Sequence, residues 1–431
     1  MKKHRRALVT AVFLFLATPV SAQSFDEPNF ESSWCKERKS KMNNFVEAGK
    51  KVAEPMNDFA IALWNAAKKD GPNPVLSPWS IYTVLSMALG GADGKTADEM
   101  ALVMGLKEVP TASWYQLHKS VLANLICPGP YNTTVLSYGN GVFVQKDKGL
   151  QPKFVSLMKD AFESMPVELD FRKDPEKSRL AINKWIEEKT QKRIAELLGK
   201  NSIKSDTRLV LANAVFIKGT WEKKFSESAT KDRDFFLTKT QKIQVPTMFT
   251  AGSVSDINYF KGKGYSAVGM STSDDAIEFI VLRPDDIDGL KTLEKKLSGD
   301  MLTNLFMGLK GQKTNLYLPK FNGDKSWSLI DTLTKIGMKA AFSAKDADFK
   351  GIDKGADLLF IGDIAHQAMV KVDESGFEGA AATAASMRAG GMPPKETVPI
   401  EFVVDRPFLY LIKDKPTHAI LFIGTVSNPT K

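Results

Sequence analysis

The sequence predicts an α+β fold built as one large domain. Apolar residues at helical spacing dominate the first third of the chain, whereas the nearly unbroken apolar runs of buried strands appear from residue 209 onwards. Such a separation of helices and strands along the chain is typical of α+β proteins. The 431 residues contain no internal repeat and no long Pro/Ser-rich linker, so nothing divides the chain into smaller domains.

Three helices are predicted before residue 110. The first lies near residues 53–69, where the apolar positions at helical spacing are Phe59, Leu63, Trp64 and Ala67. A second helix should begin at Ser77-Pro78, an N-cap followed by proline at the first helical position, and should end near Gly90. Residues 96–99, Thr-Ala-Asp-Glu, have the pattern of a capping box and predict the start of a third helix.

Buried strands are predicted in the second half of the chain. Leu209–Ile217 is apolar except for Asn213, as expected of a strand buried on both faces. Two further apolar runs, 408–412 and 420–426, flank a turn-forming segment at 413–417. These two runs predict a buried hairpin.

The first 22 residues have the features of a signal peptide. A basic start at Met1–Arg6 precedes an apolar run at Ala7–Ala17, and Val20-Ser21-Ala22 has the small-x-small pattern that signal peptidase recognises. The apolar run is shorter than the ~20 residues needed to span a bilayer. We therefore expect residues 1–22 to be removed from a secreted protein without a membrane anchor, extracellular or, in a bacterium, periplasmic.

Residues 23–52 are expected to form an N-terminal extension. Its segment Lys36-Glu37-Arg38-Lys39-Ser40-Lys41 is basic, and the net charge of the whole chain is +9. A solvated basic tail is one interpretation, and a binding site for a polyanion such as heparin is the other. No aromatic residues alternate with these charges, so specific nucleic-acid recognition is not expected.

No sequence motif indicates a catalytic, metal or cofactor site. The chain has no His-Glu-x-x-His, no Cys-x-x-Cys, no Gly-x-Ser-x-Gly and no phosphate-binding loop. Its four histidines are His4, His118, His366 and His418. A catalytic triad assembled from distant residues, in an unrecognised hydrolase, is the enzymatic alternative.

A run of small residues follows a predicted strand near the C-terminus. Residues 368–373 alternate like a strand, and every residue from 379 to 386 is Gly, Ala, Thr or Ser. One interpretation is a flexible linker. In the other, small side chains allow the segment to lie outside the fold in one state and to slide between packed strands in another, where bulky or charged groups would clash.

The sequence resembles the serpin family at several segments, in the family's order, across residues 55–429. Glu374–Ala385 resembles the family's hinge, a Glu-x-Gly-x-Glu followed by an alanine-rich run. The other matching segments are Asn73–Ile81, Asn213–Trp221, Asp405–Ile412 and Ile420–Gly424. With this resemblance, the second interpretation of the small-residue run is favoured over the linker.

The resemblance implies a serpin domain at residues 53–431, with three β-sheets, about nine helices and an exposed reactive-centre loop at about 374–398. A protease that cleaves the loop of an inhibitory serpin forms an acyl-enzyme through its own Ser or Cys, and insertion of the loop as an extra strand then traps it. The expected function is therefore inhibition of a serine endopeptidase, with a cysteine endopeptidase as the alternative target, by a monomeric protein that is not itself an enzyme. The alternative is a non-inhibitory serpin that acts as a carrier or chaperone.

The resemblance also assigns residues to three regions of the family's mechanism. The hinge, which inserts first, corresponds to Glu374, Gly376, Phe377, Glu378, Gly379, Ala380, Ala381, Ala382 and Thr383. The shutter, a polar cluster beneath the sheet that must part, corresponds to Ser77, Ser80, Asn213 and His366. The breach, where the loop first enters the sheet, corresponds to Trp221, Lys320 and Glu374, and we predict a Lys320–Glu374 ion pair there.

Two residues of the hinge depart from the family pattern. Phe377 stands where inhibitory members usually have Thr, Ser or Val, and burying it during insertion would cost about 1–3 kcal/mol if the site is overpacked. Gly379 replaces a usual alanine, at about 0.5–1 kcal/mol in strand entropy. Both departures predict slower insertion, so that some molecules would be cut as substrates.

The scissile bond has two main candidates. Counting along the loop by the family's spacing reaches Gly390-Gly391, which would suit an elastase-like protease. Arg388-Ala389 is the alternative, because arginine would pair with the carboxylate of a trypsin-like pocket. Met387-Arg388 is a third choice.

The two cysteines, Cys35 and Cys127, allow one intramolecular disulfide in an exported protein. Some secreted serpins tie an N-terminal extension to the body of the protein in this way. The resemblance therefore predicts a Cys35–Cys127 bridge, with two free thiols as the alternative.

Overall fold

The computed structural model describes residues 33–67, 71–109, 115–125, 134–146, 149–253, 256–353, 359–377 and 398–431. Within these residues there are nine α-helices: α1 (Ser33–Ala66), α2 (Pro78–Leu89), α3 (Gly94–Val103), α4 (Gln116–Leu125), α5 (Pro152–Phe162), α6 (Pro175–Lys189), α7 (Leu290–Lys296), α8 (Gly299–Gly308) and α9 (Ile330–Lys335). No helix in the described part of the chain is long and apolar enough to cross a membrane.

Seventeen strands form three sheets in the same described residues. The first strands are β1 (Val75–Leu76), β2 (Val135–Gln145), β3 (Val167–Leu169), β4 (Leu209–Thr220), β5 (Lys231–Phe236), β6 (Lys242–Gly252), β7 (Asn258–Gly262), β8 (Tyr265–Ser271) and β9 (Ile277–Pro284). The remaining strands are β10 (Lys310–Gly311), β11 (Thr314–Pro319), β12 (Phe321–Ser328), β13 (Ile361–Asp373), β14 (Gly376–Phe377), β15 (Ile400–Val403), β16 (Phe408–Asp414) and β17 (Ile420–Val426).

The strand orders define sheets A, B and C. Sheet A has the order β12-β13-β14-β4-β2-β3, sheet B the order β1-β17-β16-β9-β8-β7-β10, and sheet C the order β15-β11-β6-β5. The apolar runs predicted as a hairpin are β16 and β17, which pair antiparallel in sheet B. The three sheets and nine helices confirm the predicted α+β fold.

The centre of sheet A has an unusual pairing. β13 and β4 run parallel and pair directly from Ile361↔Leu209 to Met369↔Phe216. Towards the ends of these strands at Asp373 and Thr220, which we call the upper end, the two-residue strand β14 lies between them and is antiparallel to both. A strand antiparallel to both neighbours therefore begins at the top of a parallel pair.

The core lies on both faces of sheet A. All twelve residues of α2 are buried, because the helix has no charged residue and packs against β2, β4 and β17. Inward-facing residues of β4 and β13, such as Val215 and Ala368, belong to this main core. The side chains of Ala212 and Ala214 point to the other face of sheet A, because successive residues of a strand face opposite sides. They pack in a second, smaller core with Ile182 and Ile186 of α6.

Two details of the first helices differ from the sequence-based expectations. Helix α1 begins at Ser33, well before residue 53, and at Gly49 it packs closely on Ser120 of α4. The predicted capping box is wrong, because α3 begins at Gly94 and Thr96 lies inside it. The Thr96 hydroxyl accepts a hydrogen bond from the Asp348 backbone N–H. The Glu99 carboxylate accepts hydrogen bonds from the backbone N–H groups of Lys339 and Ala340.

Candidate functional site

The four predicted shutter residues come together beneath the centre of sheet A. Asn213 on β4 and His366 on β13 are paired neighbours in the parallel register. Ser77 is the N-cap of α2, and Ser80 lies in the first turn of that helix. All four residues have 0% exposure, so their polar groups need hydrogen-bond partners within the protein.

The shutter hydrogen bonds fix the protonation state of His366. The Ser77 backbone N–H donates to His366 Nε2 at 3.0 Å, so Nε2 carries a lone pair and not a proton. Nδ1 therefore carries the proton and donates to Asn213 Oδ1. Burial lowers the pKa of His366 to about 3, so the ring is neutral at neutral pH.

A fifth member of this cluster, Asn140 on β2, was not predicted from the sequence. It pairs directly with Asn213 across the β2–β4 ladder, and its Oδ1 accepts hydrogen bonds from Asn213 Nδ2 and, at 3.2 Å, from Ser80 Oγ. Asn213 Nδ2 also donates to the Ser80 carbonyl at 3.0 Å. The signal was available in the sequence, because Asn140 is the single asparagine in a strand without charged residues.

The neutral state of His366 predicts that stability falls in acid. An exposed histidine protonates near pH 6.5, whereas the pKa of buried His366 is about 3. Between these values the unfolded chain binds one more proton, so the free energy of unfolding falls as the pH is lowered, by up to about 1.4 kcal/mol per pH unit from this group. Chemical unfolding of wild type and of His366→Gln measures this effect, and the free energy of unfolding should depend less on pH in the variant. An NMR titration with protonation of His366 near its ordinary pKa would contradict this expectation.

The three predicted breach residues meet at the upper end of sheet A. Trp221 follows β4, and its indole N–H donates to the Asp373 carbonyl at 2.9 Å. Lys320 lies between β11 and β12, and its Nζ is 2.8 Å from Glu374 Oε2, which is the predicted ion pair. Thr230, which the sequence analysis did not identify, donates to Glu374 Oε1 at 2.8 Å.

These contacts keep the Glu374 carboxyl ionised. Burial alone would raise its pKa, but the hydrogen bonds from Lys320 and Thr230 outweigh burial and lower the pKa below its ordinary value. The Glu374 carbonyl also accepts from the Phe225 backbone N–H at 3.0 Å. Glu374 therefore fastens the start of the hinge to two neighbouring segments.

Replacing Glu374 with alanine should lower the free energy of unfolding by about 1–3 kcal/mol, because Thr230 and Lys320 lose their acceptor. A carboxyl with a lowered pKa stabilises the fold above its ordinary pKa and loses this effect as the pH falls. The difference between wild type and variant should therefore shrink in acid. Thermal unfolding near neutral pH and near pH 4 measures it.

Asp234→Asn is the matched control for this experiment. Asp234 pairs with Lys242 at 2.6 Å, but both side chains are exposed, so the change should have little effect. If Glu374→Ala left the melting temperature unchanged at both pH values, the ion pair would not hold the hinge.

The hinge is described as far as Phe377. Gly376 and Phe377 form β14, and Phe377 has 0% exposure in the intact protein. The structure thus differs from the expectation that Phe377 becomes buried only during insertion. The remaining hinge residues and all candidate scissile residues lie outside the described residues: Glu378, Gly379, Ala380, Ala381, Ala382, Thr383, Arg388, Ala389, Gly390 and Gly391.

The predicted disulfide stays a prediction. Cys35 lies on α1, and Cys127 lies outside the described residues. Closing a loop of about ninety residues would stabilise the fold by up to ~4.5 kcal/mol in the chain-entropy model. Mass spectrometry of the non-reduced protein should detect the bridged peptides. Two thiols that react with an alkylating agent without reduction would contradict the bridge.

Comparisons with known proteins agree with this geometry. The family model for serpin (serine protease inhibitor) matches residues 54–429. A leukocyte elastase inhibitor of Bos taurus is 33% identical over 379 residues, which cover 86% of this chain and 97% of that protein. An uncharacterized serpin-like protein of Thermococcus kodakarensis is 32% identical over 382 residues, which cover 88% of this chain and 86% of that protein. The native structure of tengpin, a thermophilic serpin, has a TM-score of 0.77 at 24% identity and covers 88% of this chain and 94% of its own, a likeness in fold.

Proposed function

The chain belongs to the serpin family, and on that premise we propose that it inhibits a serine endopeptidase by a suicide mechanism. The observation that carries the proposal is β14, a strand two residues long that begins between two parallel neighbours and is antiparallel to both. Because it is antiparallel to both, β14 itself runs from the upper end of sheet A towards the β13–β4 seam. A cleaved loop would need only to continue in this direction to become a full strand of sheet A.

Continuing the register of β14 identifies what the inserted loop would contact. Phe377 pairs with Gly219 on β4 and with Val372 on β13. Six residues further along the same register, Thr383 would lie between Asn213 and His366, which are now direct neighbours. Full insertion therefore requires Asn213 and His366 to separate. The hydroxyl of Thr383 would then enter the polar cluster between them.

The same register accounts for the small residues of the hinge. Ala381 would lie between Val215 and Ala368, which have 0% exposure and face the main core. Only a small side chain fits between strands that are already packed. Glu378, the charged residue of the run, would lie between Lys218 and Lys371, where the sheet is partly exposed and the charges are complementary.

The proposed reaction uses the protease's own chemistry. The nucleophilic oxygen of its serine attacks the carbonyl carbon of the residue before the scissile bond, the peptide C–N bond breaks, and the new amine leaves with a proton. The acyl-enzyme ester then joins the protease to the inhibitor. Insertion of the freed loop moves the protease across the inhibitor and distorts its active site, so that water does not complete hydrolysis.

The proposed target is an elastase-like or trypsin-like protease. Gly390-Gly391 suits a pocket for small residues, and a relative named leukocyte elastase inhibitor supports this choice. Arg388-Ala389 would direct the protein to a trypsin-like protease. We also propose secretion through residues 1–22 and an affinity of the basic segment 36–41 for polyanions.

Mixing the mature protein with trypsin, elastase, subtilisin and a papain-like protease tests the proposal. A covalent complex that survives denaturation should form with at least one of them, and mass spectrometry of the released peptide would identify the scissile bond. Each protease with its nucleophile chemically blocked is the control and should give no complex. Cleavage without complex formation by all four would favour a non-inhibitory serpin, and hydrolysis without added protease would favour an enzyme.

A further inference from the structure

Phe377 is held in the intact protein by a site that fits its ring. Its ring lies edge-on to Trp221 with centroids 5.4 Å apart and stacks on Phe279 at 6.2 Å. It is fully buried, in the main core. Phe377 is thus an aromatic anchor at the start of a segment of very small residues.

Two glycines make room for this anchor. A Cβ at Gly219, the cross-strand partner of Phe377, would lie 2.3 Å from Phe377 Cζ, closer than any side chain tolerates. A Cβ at Gly376 would lie 1.9 Å from the Gly219 carbonyl oxygen. A side chain at either position would displace β14, so the ring and the two glycines form one fitted unit.

The loop needs such an anchor because its own sequence specifies register weakly. The residues after Gly379 are Ala380, Ala381 and Ala382, followed by Thr383. Sliding such a run by two residues would place alanine against the positions of alanine, with little change in packing. Strands without distinctive side chains are prone to register slips.

We infer that Phe377 is a positioning residue for loop insertion, which holds β14 between β13 and β4 and thereby fixes the register in which the rest of the loop pairs after cleavage. The inference rests on the proposed inhibitory function. Because the ring is already buried before cleavage, we expect it to add nothing to the stability gained on cleavage. Its effect is on the rate, since the first cross-strand pairs already exist.

Three variants test the inference. Phe377→Thr introduces a residue common at this position in inhibitory serpins, and Phe377→Leu keeps the apolar character. Phe235→Leu is the control, because Phe235 is equally buried but lies on β5 of sheet C. The protein is first exposed briefly to a protease that cleaves the loop. The fraction of molecules that stay folded on a urea gradient gel is then measured over time, as the fraction in which the loop has inserted. The stoichiometry of inhibition and the melting temperatures of intact and cleaved protein are measured in parallel.

Phe377→Thr should lengthen the half-time of insertion about fivefold or more, because at least one residue must be ordered again before pairing continues. The stoichiometry of inhibition should rise, and Phe377→Leu should lie between wild type and Phe377→Thr. Both melting temperatures should fall together, so the gain on cleavage stays the same. The control should lower stability without slowing insertion.

Two results would overturn the inference. Unchanged or faster insertion in Phe377→Thr would show that the ring restrains the hinge or has no part in positioning it. Hydrogen exchange of intact wild type as fast in residues 374–377 as in an unfolded peptide would show that the anchor does not hold the hinge. Both measurements apply even if no protease is trapped, so they are separate from a failure of the proposed inhibition.

Discussion

Replacing Ala381 with arginine should abolish covalent complex formation while leaving cleavage of the loop intact. In the register set by β14, this side chain would point into the main core between Val215 and Ala368. A buried charge without a partner costs several kcal/mol, and each 1.4 kcal/mol on the barrier slows insertion about tenfold. The protease would then complete hydrolysis before the loop inserts, and the variant would be a substrate.

The matched control is Ala380→Arg, one residue earlier. Its side chain would point to the opposite face, between Phe216 and the partly exposed Met369, where a long side chain reaches water. This variant should keep much more of its inhibition. Denaturing gels and the stoichiometry of inhibition compare the two. If Ala381→Arg trapped protease as well as wild type did, loop insertion would not be the mechanism.

Cleavage of the loop between Thr383 and Met392 should raise the melting temperature sharply. An inserted strand gains on the order of ten ladder hydrogen bonds at ~1 kcal/mol each, or roughly 10 kcal/mol. For domains of about 200 residues, 1 kcal/mol of added stability raises the melting temperature by about 3 °C, and for a chain twice as long the shift is about half as large. The melting temperature should therefore rise by roughly 10–20 °C on cleavage. Differential scanning calorimetry of intact and nicked protein measures it.

Ala381→Arg provides the control for this measurement as well. Once cleaved it should melt near the temperature of its intact form, because the charged side chain keeps the loop out of the sheet. A nicked wild-type protein that melts no higher than the intact protein would remove the proposed mechanism.

The elements that depend on local pattern could be predicted from the sequence. Helix α2 begins at Pro78 as predicted, because Ser77 caps it and proline fixes its first position. The strand β4 was visible as an apolar run, since a central strand is buried on both faces. The shutter and breach residues were identified by resemblance, and the structure brings each group together.

Features that depend on tertiary contacts were not predicted. The first half of α1 has few apolar residues at helical spacing, so nothing in its sequence marked it as a helix. Asn140 and Thr230 are polar residues whose partners, Asn213 and Glu374, lie far away in the sequence. The place of Phe377 depends on the absence of a side chain at Gly219, which no local pattern reveals.

The parallel pair β13 and β4 also has a consequence for handling the protein. When the two strands separate, each presents a row of unpaired backbone N–H and C=O groups in the middle of sheet A, as an edge strand does. At high concentration the small-residue segment of a second molecule would compete for these groups with the molecule's own loop. Warming a concentrated solution should therefore produce chains of linked molecules, and activity should survive longer in dilute, cold storage.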